Sequence, residues 1–167
     1  MDVFWEPDTM SASEEAIWLS ENFTDQEMVR SRSYPHLITP WEKLPTVAAV
    51  MYMRLVHEVL QPIRDAVGPL VPTSGYRSRA LNGAVKGKTS SRHQCILQDG
   101  NFAAVDVYAK ELSAQELFDL LPEIPAQFDR CCLYVHENRL HVDIRDWALG
   151  PPRGLLRIDR GNGWEPA

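Results

Sequence analysis

The sequence predicts an α+β domain, with helices packed on a small antiparallel sheet, from three observations. Apolar residues recur at helical spacing in the first half, Ser or Thr stands at capping-box distance from Glu in three places, and two apolar runs flank a tight turn in the last third. At 167 residues the chain is sized for one domain over 1–167 with a sizeable core.

In chain order, "SASEEAIWL" sets Ser11 and Glu14 at capping-box spacing and predicts a short helix in an N-terminal extension of about residues 1–20. "TDQEMVRS" repeats the signal with Thr24 and Glu27. "TPWEKLPTVAAVMYMRLVHEVLQPIRDAVG" is the strongest pattern: Leu44, Val47, Met51, Leu55, Val59 and Ile63 step by three or four and give one apolar face. Pro62, which lacks an amide donor, is expected to kink or end this helix, and Gly68 to close it. "RALNGAVKG" reads as a weaker helix ended by Gly87, and "FAAVDVYA" as a strand from its β-branched and aromatic content. "SAQELFDLLPEI" is a helix with Ser113 and Glu116 as its box, stopped near Pro122. "FDRCCLYVHENRLHVDIRDW" predicts a hairpin turning at Glu137-Asn138, a register that sets Tyr134 opposite His141.

Composition narrows the function classes. Hydrophobic residues at 44% and charged residues at 24% describe a globular chain that folds by itself. The net charge of −6 argues against a nucleic-acid partner, although a local basic patch stays open. "MDVFWEPDTM" has neither a basic start nor a following apolar stretch, and no run of about eighteen apolar residues occurs anywhere. No signal peptide and no membrane span are expected, so synthesis would be cytoplasmic. Cys95, Cys131 and Cys132 are an odd count with an adjacent pair, which predicts reduced, buried thiols rather than a disulfide framework. Without a CxxC, a thiolate zinc knuckle is not expected.

Catalytic zinc sites use three protein ligands, usually His and carboxylate, and leave a fourth position open. His93, Asp106 and His141 offer such a set, but from spacing alone His93 reads equally as a loop histidine and Asp106 as a strand carboxylate paired with an Arg. Read together, "SGYRSRALN" (Ser74 to Asn82), "SSRH" (Ser90 to His93), "AAVDV" (Ala103 to Val107) and "LHVD" (Leu140 to Asp143) resemble the zinc D-Ala-D-Ala metallopeptidases of peptidase family M15. That family's pattern runs SGYRS, SxHxxGxAxD and a late HV or HI. "ENFTDQEMVRS" and "VLQPIRDAVG" resemble the subgroup common in bacteriophage genomes, and the likeness spans about residues 21–146.

The resemblance implies an M15, hedgehog-like zinc peptidase domain with zinc held by His93, Asp106 and His141. It implies that Arg77 faces the substrate carbonyl or carboxylate, and that Tyr76 and Ser91 contact substrate. Arg77 tying down its own loop and Ser91 capping a turn stay open beside those roles. The implied substrate is a peptidoglycan stem peptide, cut by a D-Ala-D-Ala carboxypeptidase or endopeptidase in the manner of an endolysin. A phage-encoded protein made without a signal peptide would reach the cell wall by another route.

Two departures from the family pattern matter. Twelve residues separate His93 from Asp106, more than the pattern has, and Phe102 stands where it has glycine. An inserted hairpin around Asp99-Gly100 would bring Asp106 back to the metal, with Asp99 as a turn residue rather than a competing ligand. The second departure is the general base, the carboxylate that takes a proton from the attacking water. Tyr134 occupies the place of the glutamate in an "FDQLIxE"-like segment, and Asn138 stands three residues before His141 where other members carry Asp or Glu. His136 and Glu137 are the substitutes, while Asp143 either orients the His141 ring or pairs with an Arg. The empty base positions motivate an alternative: a non-catalytic M15-like metal-binding or structural module.

Overall fold

The structure, a computed structural model, describes residues 15–161 and 163–167. The start of the helix expected at Ser11 and Glu14 lies outside these residues. From Glu15 to Ser20 the chain is irregular, with Trp18 bridging to Thr24. Helix α1, Asp25–Met28, carries the expected capping box, in which the Glu27 carboxylate accepts the Thr24 backbone N–H at 2.9 Å.

Helix α2, Thr46–Leu55, starts after Pro45, because the preceding Trp41–Lys43 winds as a separate 3-10 turn between two prolines. Pro62 does not end the helix. Val56–Leu60 widens into a π turn and α3, Gln61–Val67, continues from it. The Glu58 carbonyl, four residues before the proline and deprived of its helical donor, accepts the N–H of Gln127 at 2.8 Å instead. Gly68, at φ +85°, then closes the helix as expected. On this helix Met51, Leu55, Val59 and Ile63 are buried, but Val47 is 42% exposed, and Ala48, Tyr52, Val56 and Leu60 complete the core face.

Strand β1, Leu70–Ser74, was not legible as a strand because Pro72 argues against one. It forms an edge of the sheet, where a missing donor is tolerated. Helix α4, Arg79–Ala84, is capped by the Ser78 hydroxyl and ends before Lys86, which turns left-handed at φ +56°. The residues inserted between His93 and Asp106 form a small hairpin: β2, Ile96–Leu97, pairs with the start of β3, Gly100–Ala109, around Gln98 and Asp99. Helix α5, Ala114–Leu120, has the Ser113–Glu116 box.

Strands β4, Arg130–Tyr134, and β5, Arg139–Arg145, form the expected hairpin in a shifted register. Tyr134 faces Arg139 and Cys132 faces His141, because the connection also takes in Val135–Glu137 and the left-handed Asn138. The Asn138 side chain accepts the first N–H of α5 at 2.8 Å, which ties the wider turn to that helix. Two further strands, β6, Leu155–Asp159, and β7, Trp164–Pro166, extend the sheet to the order β1-β3-β5-β4-β6-β7, with β2 beside β3. All pairs are antiparallel except β4 with β6.

Strand alternation separates core from site. Val105, Val142 and Cys131 stand in one row across β3, β5 and β4, and Val107, Leu140 and Leu133 in another; all are buried with Tyr52, Leu55 and Val59 of the long helix. Each fully buried aliphatic side chain of this kind contributes roughly 1.5–3 kcal/mol. The intervening rows, on the other face, hold Asp106, His141 and Cys132, then Ala104, Asp143 and Arg130. The three cysteines are free and buried. Among the described residues no helix is long and apolar enough to cross a membrane.

Candidate metal centre

His93, Asp106 and His141 converge: one ligand atom from each lies within 4.8 Å of the others, and all three side chains are buried. Asp106 and His141 are cross-strand partners on the polar face of β3 and β5. His93 reaches them from a 3-10 turn, Arg92–Gln94, whose backbone is fastened where the His93 carbonyl accepts the Arg77 N–H at 2.9 Å.

Each imidazole has one nitrogen engaged and one aimed inward. His93 Nδ1 donates to the Gly75 carbonyl at 2.7 Å, leaving Nε2 3.5 Å from Asp106 Oδ1. His141 Nε2 donates to Asp143 Oδ2 at 3.1 Å, leaving Nδ1 3.3 Å from the same Asp106 oxygen. Two oriented lone pairs and a carboxylate oxygen facing one point fit a divalent cation of the zinc type. Burial lowers the His93 pKa and favours the neutral, ligating ring, although Asp106 opposes it. Burial would raise Asp106, but the His93 and His141 rings outweigh it and hold the acid well below its ordinary range. Burial would lower His141, yet Asp106 and Asp143 raise it by favouring the charged ring, so a cation at Nδ1 takes the place of a proton there.

Gly75 is fixed by the same geometry. A Cβ there would collide with the backbone carbonyl of Met28, which itself accepts the Tyr76 N–H at 2.8 Å. Gly75→Ala is therefore expected to lower stability by about 1–3 kcal/mol and to loosen His93, measured as a drop in thermal unfolding midpoint together with weaker zinc retention.

Arg77 contacts Asp106 Oδ2 at 3.2 Å and the Ser74 hydroxyl at 2.9 Å, beside the ligands. Ser91 lines the same pocket and makes no side-chain cap to its turn. Tyr76 does not join them: it is buried edge-on against Tyr52, with ring centroids 6.2 Å apart. Glu137 lines a second, adjoining pocket that also touches Arg77, Asp106 and Arg139, and it pairs with Arg139 at 2.6 Å. His136 is exposed and its Nε2 donates to the Arg160 carbonyl at 2.9 Å. Asp143 both holds the His141 ring and pairs with arginines, Arg92 at 2.6 Å and Arg130 at 2.7 Å.

The sequence reading gave no role to Arg139, although alternation along the strand already set it on the His141 face; its guanidinium lies 2.8 Å from Asp106 Oδ1 and 3.8 Å over the Tyr134 ring. The observed register adds that Tyr134 stands directly opposite it. The sequence reading also missed Asp129, fully buried and ringed by Arg92, Arg153 and Arg145 at 2.6, 2.7 and 3.2 Å. Burial alone would raise the Asp129 pKa, but Arg153 and Arg92 hold it at about 2. Its folded value lies below the unfolded one near 4. Its contribution to stability is thus complete above about pH 4 and lost as pH falls toward about 2. Acid unfolding followed by circular dichroism is expected to place the loss in that window, and a transition shifted upward in Asp129→Asn checks the assignment.

A family model described as peptidase M15 matches residues 21–143. No curated protein and no solved structure matches the chain.

Proposed function

The chain belongs to the peptidase M15 family, and from that premise we propose that it is a zinc-dependent peptidase acting on peptidoglycan stem peptides, as a D-Ala-D-Ala carboxypeptidase or an endopeptidase of the endolysin kind. The observation that supports this most is the convergence of His93 Nε2, Asp106 Oδ1 and His141 Nδ1, with the second nitrogen of each ring already engaged. A zinc ion held there would supply Lewis acidity, polarising a peptide carbonyl and acidifying water.

The chain's own residues supply the remainder. Arg77 presents guanidinium donors beside Asp106, where they stabilise negative charge developing on a substrate oxygen. The Ser91 hydroxyl offers a hydrogen bond to the bound peptide. For the base, Glu137 is better situated than His136, since it lines the pocket that shares Arg77 and Asp106. Its pairing with Arg139 must open for it to take a proton. A phage-encoded role at the cell wall completes the proposal.

One observation favours the second reading, a metal-binding module without turnover: Asp106 is the sole carboxylate among the residues lining the metal pocket. Metal content after purification, followed by hydrolysis of a peptide ending in D-Ala-D-Ala, separates the two. Zinc with turnover that disappears in Glu137→Gln or His136→Ala supports the peptidase. Zinc without turnover supports the module, and a chain that binds no zinc defeats both.

A further inference from the structure

The metal pocket is strongly basic in a chain whose net charge is −6. Seven Lys and Arg side chains line it, against the single carboxylate of Asp106. Four of the seven are committed: Arg77 and Arg139 to Asp106, Arg92 and Arg130 to Asp143. The other three, Lys86, Lys88 and Arg157, have no ion-pair or hydrogen-bond partner among the described residues. Their placement is built rather than incidental. Lys86 and Lys88 flank Gly87 on the loop after α4, and the buried Asn82 side chain pins that loop by donating to the Gly87 and Lys88 carbonyls at 3.3 and 3.0 Å. The Gly87 N–H returns a bond to the Asn82 carbonyl at 2.8 Å. Arg157 comes from β6 and its neighbour in the pocket, Trp164, from β7, both beyond the residues the family model matches. Trp164 packs edge-on to Tyr134 with centroids 4.8 Å apart.

Three unpaired cations facing one concave space repel one another and concentrate a positive potential there, which a bound anion relieves. We propose that Lys86, Lys88 and Arg157 form an anion subsite beside the metal centre that takes a carboxylate of the bound peptide other than the group at the metal, so that the protein selects acidic peptides. This rests on the reading of the chain as peptide-acting. A peptide carboxylate fits better than a nucleic-acid backbone, because the cations sit within a pocket of about 490 Å³ while the chain as a whole is acidic and repels a polyanion.

The test uses binding, so that it does not depend on turnover. A fluorescently labelled stem peptide, L-Ala-γ-D-Glu-L-Lys-D-Ala-D-Ala, and its analogue amidated at the D-glutamate α-carboxylate are titrated with protein kept in chelator, its fold checked by circular dichroism. The acidic peptide is expected to bind about tenfold more tightly than the amide, the effect of one charge-assisted contact. Lys86→Ala/Lys88→Ala/Arg157→Ala is expected to abolish the difference. The double variant Lys86→Ala/Lys88→Ala, which alters only exposed loop residues, should reduce it, and Lys86→Arg/Lys88→Arg should keep it. Equal affinity for the two peptides in the wild type, or an unchanged ratio in the triple variant, overturns the proposal. So does displacement of the peptide by a short DNA duplex at lower concentration than by free peptide. Hydrolysis by the zinc-loaded protein is scored separately: loss of turnover with the ratio intact defeats the peptidase reading and leaves the subsite standing.

Discussion

Asp106→Asn is expected to lower zinc affinity by about two to three orders of magnitude. The two imidazoles are neutral ligands, so Asp106 supplies the one negative charge in the ligand set that a dication meets. Arg77 and Arg139 lie 3.2 and 2.8 Å from its oxygens. With the carboxylate present they are its counter-charges. With an amide in its place, two uncompensated guanidiniums face the metal position and repel the ion. If about a quarter of the roughly 10–16 kcal/mol typical of zinc binding goes with one ligand, the loss is about 2.5–4 kcal/mol, at about 1.4 kcal/mol per tenfold. Competition with a chromophoric chelator measures the affinity directly, and hydrolysis should fall with zinc occupancy. An asparagine variant that retains zinc as tightly as the wild type would remove Asp106 from the ligand set and leave its contacts with the arginines as its whole role.

Asp106 entered the ligand set through the resemblance that "AAVDV" shares with its neighbouring motifs, since a lone charge in an apolar run reads equally as a strand carboxylate paired with an Arg. The strand explains the oddity: Ala103, Val105 and Val107 face the helices, while Asp106 stands on the opposite face with His141. Both faces of β3 are buried, so the alternation is hidden in an almost wholly apolar run. Capping boxes at Thr24 and Ser113 and the close at Gly68 were legible because they are local. The fate of Pro62 was not, since it depends on Gln127 arriving from a distant loop to take the Glu58 carbonyl. The hairpin register failed for a similar reason. Asn138 looks like half of a tight turn, but its side chain is used to cap α5. From that slip followed the placing of His136 near the ligands, whereas its ring binds the Arg160 carbonyl. Residues that act through partners remote in sequence, Asp129 above all, carry no local signature.

Asp143→Asn is expected to damage stability and metal binding together, and the comparison with Asp129→Asn separates the two effects. Asp143 is fully buried, with Arg92 and Arg130 on its oxygens at 2.6 and 2.7 Å and His141 Nε2 at 3.1 Å. Its pKa follows from these partners: burial would raise it, but the His141 hydrogen bond and the arginine charges bring it below the ordinary value. Neutralising one member of a buried charge cluster leaves the others desolvated without a counter-ion, which costs about 3–5 kcal/mol. An amide also accepts the His141 N–H less strongly than a carboxylate does, so the ring is held less firmly with its Nδ1 toward Asp106. Lost ligand support of this kind weakens metal binding by about 10–100-fold. Asp129 is equally buried and shares Arg92, but its other partners are Arg153 and Arg145, and no contact with His141 joins it to the metal centre. Asp129→Asn should therefore unfold at a similarly reduced denaturant concentration while its folded form keeps near wild-type zinc affinity. If both variants weaken zinc to the same extent, the loss comes from a general loosening of the arginine cluster, and Asp143 has no separate part in orienting His141.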